Sequence, residues 1–354
     1  MEKATSAKLR VLSFIAMIMI IYLHSYNLAV KFNGVDVPIA KNYNSFVQVF
    51  ISDGITRIAV PLFAAISGFL FFYNFKPSTQ AFLNKYKKRF NSLFIPYILW
   101  SAWGLLFFFI LQILPQSRKF FNSTLIKDYS LNKLLEVLFW DPLPYQLWFV
   151  RDLLILVLLS PIIYLILRYL KIVGLLLFFV IWLFDFSLLM LKPDTIFFFS
   201  FGAYLSFHAQ AFLQSRYPGL AKVALVLYIV LLMVKTWFFQ INYTPNFAPF
   251  LLKGVIVCGA FAAWYLYDFV TENRDISNST FYQYSGFSFF LYAFHEPVLT
   301  LFKKGTLAVI GKSQVAMFAA YLVLPLIVIT LALITGAILK KYMSGFYSLL
   351  TGGR

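Results

Sequence analysis

The sequence predicts an all-α integral membrane protein: one domain over residues 1–354, folded as a bundle of about ten transmembrane helices with both termini in the cytoplasm. Two observations predict the class. Of the 354 residues, 61% are hydrophobic and 12% charged, against about 45–50% and about 25% in soluble domains, so there is too little charge to cover a water-facing surface. Apolar runs close to the ~20 residues that cross a bilayer recur from end to end, which excludes a soluble domain held by one anchor. A third observation sets the orientation. The 30 basic residues, which give a net charge of +17, gather at the ends of the apolar runs as topology signals do. They do not form the single stripe of a nucleic-acid binder.

In order, the spans are expected near 10–29, 52–75, 90–114, 147–167, 172–191, 196–214, 218–238, 248–270, 283–302 and 315–339. The first, running from Val11, is too long for a signal peptide, and no small-residue cleavage pattern precedes Lys31, so it is expected to remain in place. The strongest basic cluster, Lys85 to Arg89, stands between the second and third spans, and the positive-inside rule assigns that connection and both termini to the cytoplasm. Two long connections, 30–51 and 115–146, then lie outside. In the second, Leu131, Leu134, Leu135, Leu138 and Phe139 fall at helical spacing, with Asn132, Lys133 and Glu136 on other faces. That pattern predicts a short amphipathic helix in the interface. Internal repeats, phosphate-binding loops and dinucleotide fingerprints are absent from the sequence. Cys258 is the one cysteine, so neither an internal disulfide nor a cysteine-ligated metal is expected. Asn122, Asn242 and Asn278 begin N-x-S/T triplets that carry meaning only in a secretory eukaryote.

Ionisable residues within spans cost at least about 2.5–3.5 kcal/mol at a span centre and are functional candidates for that reason. His24 lies about 21 Å beyond Arg10 at about 1.5 Å per residue, in the outer third of the first span. Arg57, Arg151 and Asp152 lie near the outer ends of the second and fourth spans, and His295 and Glu296 lie at similar depth in the ninth. The common depth points to a water-accessible cavity in the outer half of the membrane. Simpler readings stand beside this one. Asp53 and Arg57 are an i, i+4 pair that neutralise each other on one helix; Pro297 makes Glu296 part of a helix distortion; Lys235 and Lys253 snorkel; His208 has no ionisable neighbour in sequence. Arg151 and Asp152 are adjacent, point in different directions and are not expected to satisfy each other. Asp185 has no explanation in sequence. Lys87, Lys88 and Arg89, opening the third span, read either as a topology signal or as an anchor for phosphates at a helix start with free amides, joined by Lys8 and Arg10.

These segments, in this order, resemble the acyltransferase-three family of integral membrane O-acyltransferases. The matching pieces are Leu12 to Tyr26 with His24, Arg57 to Phe69, Lys87-Lys-Arg-Phe-Asn-Ser-Leu-Phe-Ile-Pro-Tyr97, Leu147-Trp-Phe-Val-Arg-Asp-Leu153 with Leu159-Ser-Pro161, and Ser288-Phe-Phe-Leu-Tyr-Ala-Phe-His-Glu-Pro297. The resemblance implies transfer of an acyl group, commonly acetyl, from acyl-CoA to a hydroxyl of a cell-envelope or exported carbohydrate, at a bacterial plasma membrane. By residue it implies catalytic roles for His24, His295, Arg57 and Asp152, and coenzyme A binding by Lys87, Lys88 and Arg89. It departs at Ser13, where the family has an arginine; Arg10 shares that helix face and is expected to substitute. The partners expected are the bilayer, a carbohydrate acceptor and glycan-assembly enzymes, with no nucleic acid and no metal. The expected chemistry is deprotonation of the alcohol by His24 as general base, oriented by Asp152 or a hydroxyl, while Arg57 stabilises negative charge and His295 positions substrate or acts as a second acid/base. An acyl-histidine intermediate is the less favoured variant. A transporter or flippase for lipid-linked saccharides, and an inactive relative acting in envelope assembly, are the alternatives.

Overall fold

A computed structural model describes residues 3–30, 39–118, 121, 124–214, 217–271, 276, 279–311 and 313–353. The triplets at Asn122 and Asn278, and the middle of the first long connection, fall outside the described residues. In chain order the helices are α1 (Lys3–Ser25), α2 (Tyr43–Ser52), α3 (Ala59–Phe72), α4 (Thr79–Arg89), α5 (Ile95–Ile113), α6 (Pro115–Arg118), α7 (Leu131–Phe139), α8 (Trp148–Leu158) and α9 (Ser160–Tyr169). There follow α10 (Ile172–Leu183), α11 (Pro193–His208), α12 (Gln210–Gln214), α13 (Pro218–Gln240), α14 (Ala248–Thr271), α15 (Thr280–Tyr284), α16 (Ser288–Ile310), α17 (Gln314–Tyr342) and α18 (Ser344–Thr351). Each expected span contains helix, but that over 172–191 is helical only to Leu183 and the first ends at Ser25. Among the described residues six stretches are long and apolar enough to cross a membrane, and a seventh results if α8 and α9, bent by 63° at Leu159, count as one. The protein is an integral membrane helical protein; α10, α11 and α16 are helices of 12, 16 and 23 residues that are too short or too charged to meet that criterion by themselves.

Contacts divide the chain into two compact units, each built from separated segments. The first comprises Met1–Tyr26, Lys41–Leu83 and Ile155–Ser288. Its tightest packing joins α3 to α11, and two glycines permit it: a Cβ on Gly68 would lie 1.9 Å from the Phe199 carbonyl oxygen, and a Cβ on Gly202 would lie 1.9 Å from that of Ala65. Small residues allow such backbone approach, which is how helices associate where lipid removes the hydrophobic drive between them. In the same unit, Leu9, Leu12, Ile66, Phe69, Leu205, Trp264 and Tyr265 form a buried cluster. Polar contacts fasten α1 to it. Lys8 Nζ donates to Asp268 at 2.7 Å and sits 3.7 Å over the Trp264 ring, which ties Lys8 to α14.

The second unit comprises Asn27–Ala40, Asn84–Leu154 and Phe289–Arg354. The amphipathic helix forms as α7, capped by Ser130, whose hydroxyl accepts from the Lys133 amide at 3.2 Å. Its backbone docks on α5, where Ser101 Oγ donates to the Val137 carbonyl and Tyr97 OH to that of Phe139, both at 3.1 Å. Val137 is the buried position, while Leu131, Leu135 and Phe139 stay exposed, as a lipid-facing stripe requires. The C-terminal α18 is held by Trp100 Nε1 donating to the Leu350 carbonyl at 3.0 Å. Gly352, at φ +68°, ends α18 where a Cβ would meet the Ser92 backbone oxygen at 2.4 Å, so a side chain is excluded on both counts.

One local expectation is corrected. Lys87, Lys88 and Arg89 do not open a helix. The helix starts at Thr79, where the Ser78 hydroxyl accepts from the Ala81 amide, and continues through a π-turn, Phe90–Phe94, into α5. No glycine precedes Pro96 in this stretch to stop it, so the amides near the cluster are spent within the helix.

Candidate functional site

In the first unit, His24 is half-buried in the last turn of α1. The turn that carries it is fastened by two hydroxyls: the Tyr22 carbonyl accepts from Ser25 Oγ at 2.8 Å and from Ser52 Oγ at 2.7 Å, which ties the end of α1 to α2. Arg10, exposed near the other end of α1, donates from Nε to Ser285 Oγ at 2.6 Å and stacks over Tyr282 at 4.5 Å. Ser13 Oγ donates to its own helix at the Leu9 carbonyl. Arg10 thus lies on α1 as expected but engages the α15 end of the unit.

Arg57 sits on one turn of 3-10 helix, Ile55–Ile58, between α2 and α3. Its Nε donates to Asp53 Oδ1 at 2.9 Å, its Nη2 to the same oxygen, and Lys235 Nζ donates to Asp53 Oδ2. The i, i+4 pair of the sequence reading is present, with Lys235 as a third member. Lys235 and Lys253 do not snorkel. Lys253 Nζ donates to Asp185 Oδ2 at 2.6 Å, and that bond accounts for Asp185. His208 Nε2 meets the Leu167 carbonyl at 3.0 Å, the contact of a structural histidine.

In the second unit, Asp152 is fully buried and accepts at Oδ1 from Arg151 Nε at 3.3 Å and Nη2 at 3.0 Å. The expectation that these neighbours cannot satisfy each other is overturned. Although their Cα–Cβ vectors diverge, the guanidinium stem is long enough to fold back, and Nη1 also donates to the Trp140 carbonyl at 2.9 Å.

The most developed polar cluster surrounds the break in α16. Glu296 leaves the helix at φ −111°, ψ 137°, and Pro297 follows. Pro297 has no N–H for the Ala293 carbonyl, and the Thr300 amide, which would serve the Glu296 carbonyl, donates at 3.2 Å to the Glu296 side chain instead. Both orphaned carbonyls are taken by one group: Gln146 Nε2 donates to Ala293 O at 3.2 Å and to Glu296 O at 3.1 Å. Two carbonyls require the amide nitrogen to face them, so Gln146 Oε1 points away, and it is buried without a hydrogen-bond partner among the described residues. Tyr145 OH donates to Glu296 Oε1 at 3.0 Å, and Tyr292 OH to the Gln146 carbonyl. His295 is fully buried, and its Nδ1 lies 2.6 Å from the Tyr292 carbonyl. A carbonyl only accepts, so Nδ1 carries the proton and Nε2 presents its lone pair. Tyr145 and Gln146 escaped the sequence reading because neither is ionisable at neutral pH; their adjacency to Leu147-Trp-Phe was the available signal.

Lys87 and Lys88 are exposed and Arg89 half-buried at the end of α4. Among the described residues no three His, Cys, Asp or Glu side chains are placed to share a metal ion.

A family profile described as "Acyltransferase domain" matches residues 7–337. The chain is 24% identical over 364 residues to the "Succinoglycan biosynthesis protein ExoH" of Rhizobium meliloti (strain 1021), covering 100% of this chain and 94% of that protein. No solved structure matches.

Proposed function

Because the chain belongs to the acyltransferase-three family and is an acyltransferase, we propose that it moves an acyl group, acetyl in the simplest case, from acyl-CoA to a hydroxyl of a cell-surface or exported polysaccharide or of its lipid-linked precursor. The family match over residues 7–337 carries this reading, and the likeness to a succinoglycan biosynthesis protein supports a carbohydrate acceptor. The setting proposed is a bacterial plasma membrane, with about ten spans, cytoplasmic termini and glycan-assembly enzymes nearby.

A thioester is already activated, so the protein's task is to take the proton from the attacking alcohol and to stabilise the oxyanion that forms before the C–S bond breaks and the thiolate leaves. Neutral imidazole suits the first part. We assign general base to His24, whose turn is fixed by the Ser25 and Ser52 hydroxyls on Tyr22. His295, with Nδ1 committed to a backbone carbonyl, has the tautomer for accepting a proton or a substrate hydroxyl at Nε2. Asp152 holds Arg151, which makes it a positioning residue. Lys87, Lys88 and Arg89 are assigned to the phosphates of coenzyme A, and Arg10 to the same anionic donor.

The test is release of free coenzyme A from acetyl-CoA by purified protein, with exopolysaccharide as acceptor. The wild-type protein is expected to couple release to acylation of the polysaccharide, and His24→Ala to lower the rate by about 10²–10⁴-fold, the range of general-base catalysis. Undiminished transfer by His24→Ala at equal protein level removes His24 from the mechanism. Absence of transfer by the wild-type protein removes the reading.

A further inference from the structure

The cluster of Asp53, Arg57 and Lys235 contains more positive charge than its structural work needs. Fastening α2 to α13 takes one cation on Asp53, and Lys235, with its side chain 14% exposed, supplies it. Arg57 adds a second cation on the same carboxylate, so the three groups together keep a net charge of +1. Asp194 lies within electrostatic reach of Arg57, but its Oδ1 already accepts from Trp182 Nε1 at 2.6 Å.

The unused capacity is directional. A guanidinium has five N–H donors. Asp53 takes one from Nε and one from Nη2, and the remainder have no partner among the described residues. The Arg57 side chain is 44% exposed. Facing hydrocarbon, such a group would cost at least about 2.5–3.5 kcal/mol, so it opens to water or to a polar ligand. The surroundings agree: Gln240, about 7.5 Å further along α13 at about 1.5 Å per residue, donates to the Asn42 carbonyl at 3.3 Å in the polar turn before α2. Asp53 therefore holds a planar, half-exposed guanidinium at a fixed angle, its outer edge bare and an ammonium beside it. Planar N–H pairs with a neighbouring positive charge match carboxylate and phosphate oxygens.

We propose that Arg57 and Lys235, oriented by Asp53, bind an anionic oxygen group of the acceptor, either the carboxylate of an acidic saccharide or the phosphate that joins a saccharide to its lipid. The proposal rests on the carbohydrate-acceptor reading above and narrows it to acidic acceptors.

The experiment measures binding without any acyl donor, on full-length protein in nanodiscs. The probes are a glucuronate-containing oligosaccharide, the same oligosaccharide with its carboxyls reduced to alcohols, and inorganic diphosphate. The wild-type protein is expected to bind the acidic oligosaccharide, or diphosphate, about tenfold more tightly than the reduced one, the effect of one charge-assisted hydrogen bond. The preference should shrink as salt screens it. Preference for the acidic sugar identifies a carboxylate, and preference for diphosphate alone identifies a phosphate. Lys235→Met is expected to lose the preference and Lys235→Arg to keep it. Should Lys235→Met fail to fold, Arg57→Gln takes its place, with Asp53 still paired to Lys235. Equal binding of all three probes, or a preference that survives Lys235→Met or Arg57→Gln, overturns the proposal. Intact preference in a protein that transfers no acyl group overturns only the acyltransfer reading. Intact transfer without the preference overturns only this site.

Discussion

At the scale of residues, the break in α16 shows how a polar group becomes indispensable without being charged. Gln146 Nε2 is the donor for the two carbonyls that Pro297 and the diverted Thr300 amide leave unserved. Gln146→Leu strands both, at about 1–3 kcal/mol for each unsatisfied buried acceptor, and is expected to lower the melting temperature in detergent along with acyl transfer. Tyr145→Phe keeps the Gln146 bonds and removes one from the buried Glu296 carboxyl; it is expected to lower the melt by less than Gln146→Leu, since one acceptor is affected and not two. A Gln146→Leu melt at the wild-type temperature would dismiss the bracing role. The same scale shows what sequence could reveal. Asp53 and Arg57 were legible because a helix brings i and i+4 together. Lys235 was not, being 182 residues from Asp53, and Gln146 was passed over because depth was weighed only for ionisable groups. Arg151 and Asp152 were misjudged by backbone direction, which fixes where a side chain starts and not where a long one ends.

At the scale of elements, most apolar runs became helix, although the run expected over 172–191 is helical only to Leu183, and of the breaks only the distortion at Glu296–Pro297 was legible. The basic cluster looked like a helix start because apolar residues begin there, yet α4 and α5 are joined through the π-turn. With the amides spent, the coenzyme A binding proposed for this cluster rests on charge and not on backbone donors. Replacing Lys87, Lys88 and Arg89 together by Gln is therefore expected to raise KM for acetyl-CoA most at low ionic strength, with the difference from wild type closing toward high salt. A salt-independent difference would point to direct, geometry-fixed contacts. The α3–α11 crossing allows less freedom. Gly202→Ala places a methyl against the Ala65 backbone, which has no rotamer to move, and the helices must separate. Overpacking of this kind costs typically about 1–3 kcal/mol, so a lower yield of folded protein in detergent is expected. Gly305→Ala, with open space around its Cβ position, is the control that should behave as wild type.

At the scale of the whole molecule, the number of spans turns on short helices, and the first unit supplies an argument for counting α10 and α11. At about 1.5 Å per residue, the 12 residues of α10 extend only about 18 Å, less than the ~30 Å hydrocarbon core. Taken alone, they allow the α10–α11 pair to be a re-entrant hairpin. The contacts within the unit argue otherwise. At one end, Leu205 near the close of α11 shares a buried cluster with Trp264 and Tyr265 near the close of α14. At the other, Asp185 just beyond α10 is bonded to Lys253 in the second turn of α14, the end that follows the turn after α13. The hairpin therefore runs alongside α14 from one end to the other, and the turn at Lys192 belongs at the same face as the turn at Tyr243. In a Cys258→Ser background, single cysteines at Lys192 and at Tyr243 are expected to react with a membrane-impermeant maleimide from the same side of intact cells, the outside if the termini are cytoplasmic. Labelling of Tyr243→Cys with Lys192→Cys protected until the cells are opened would make the pair re-entrant and reduce the bundle by two spans.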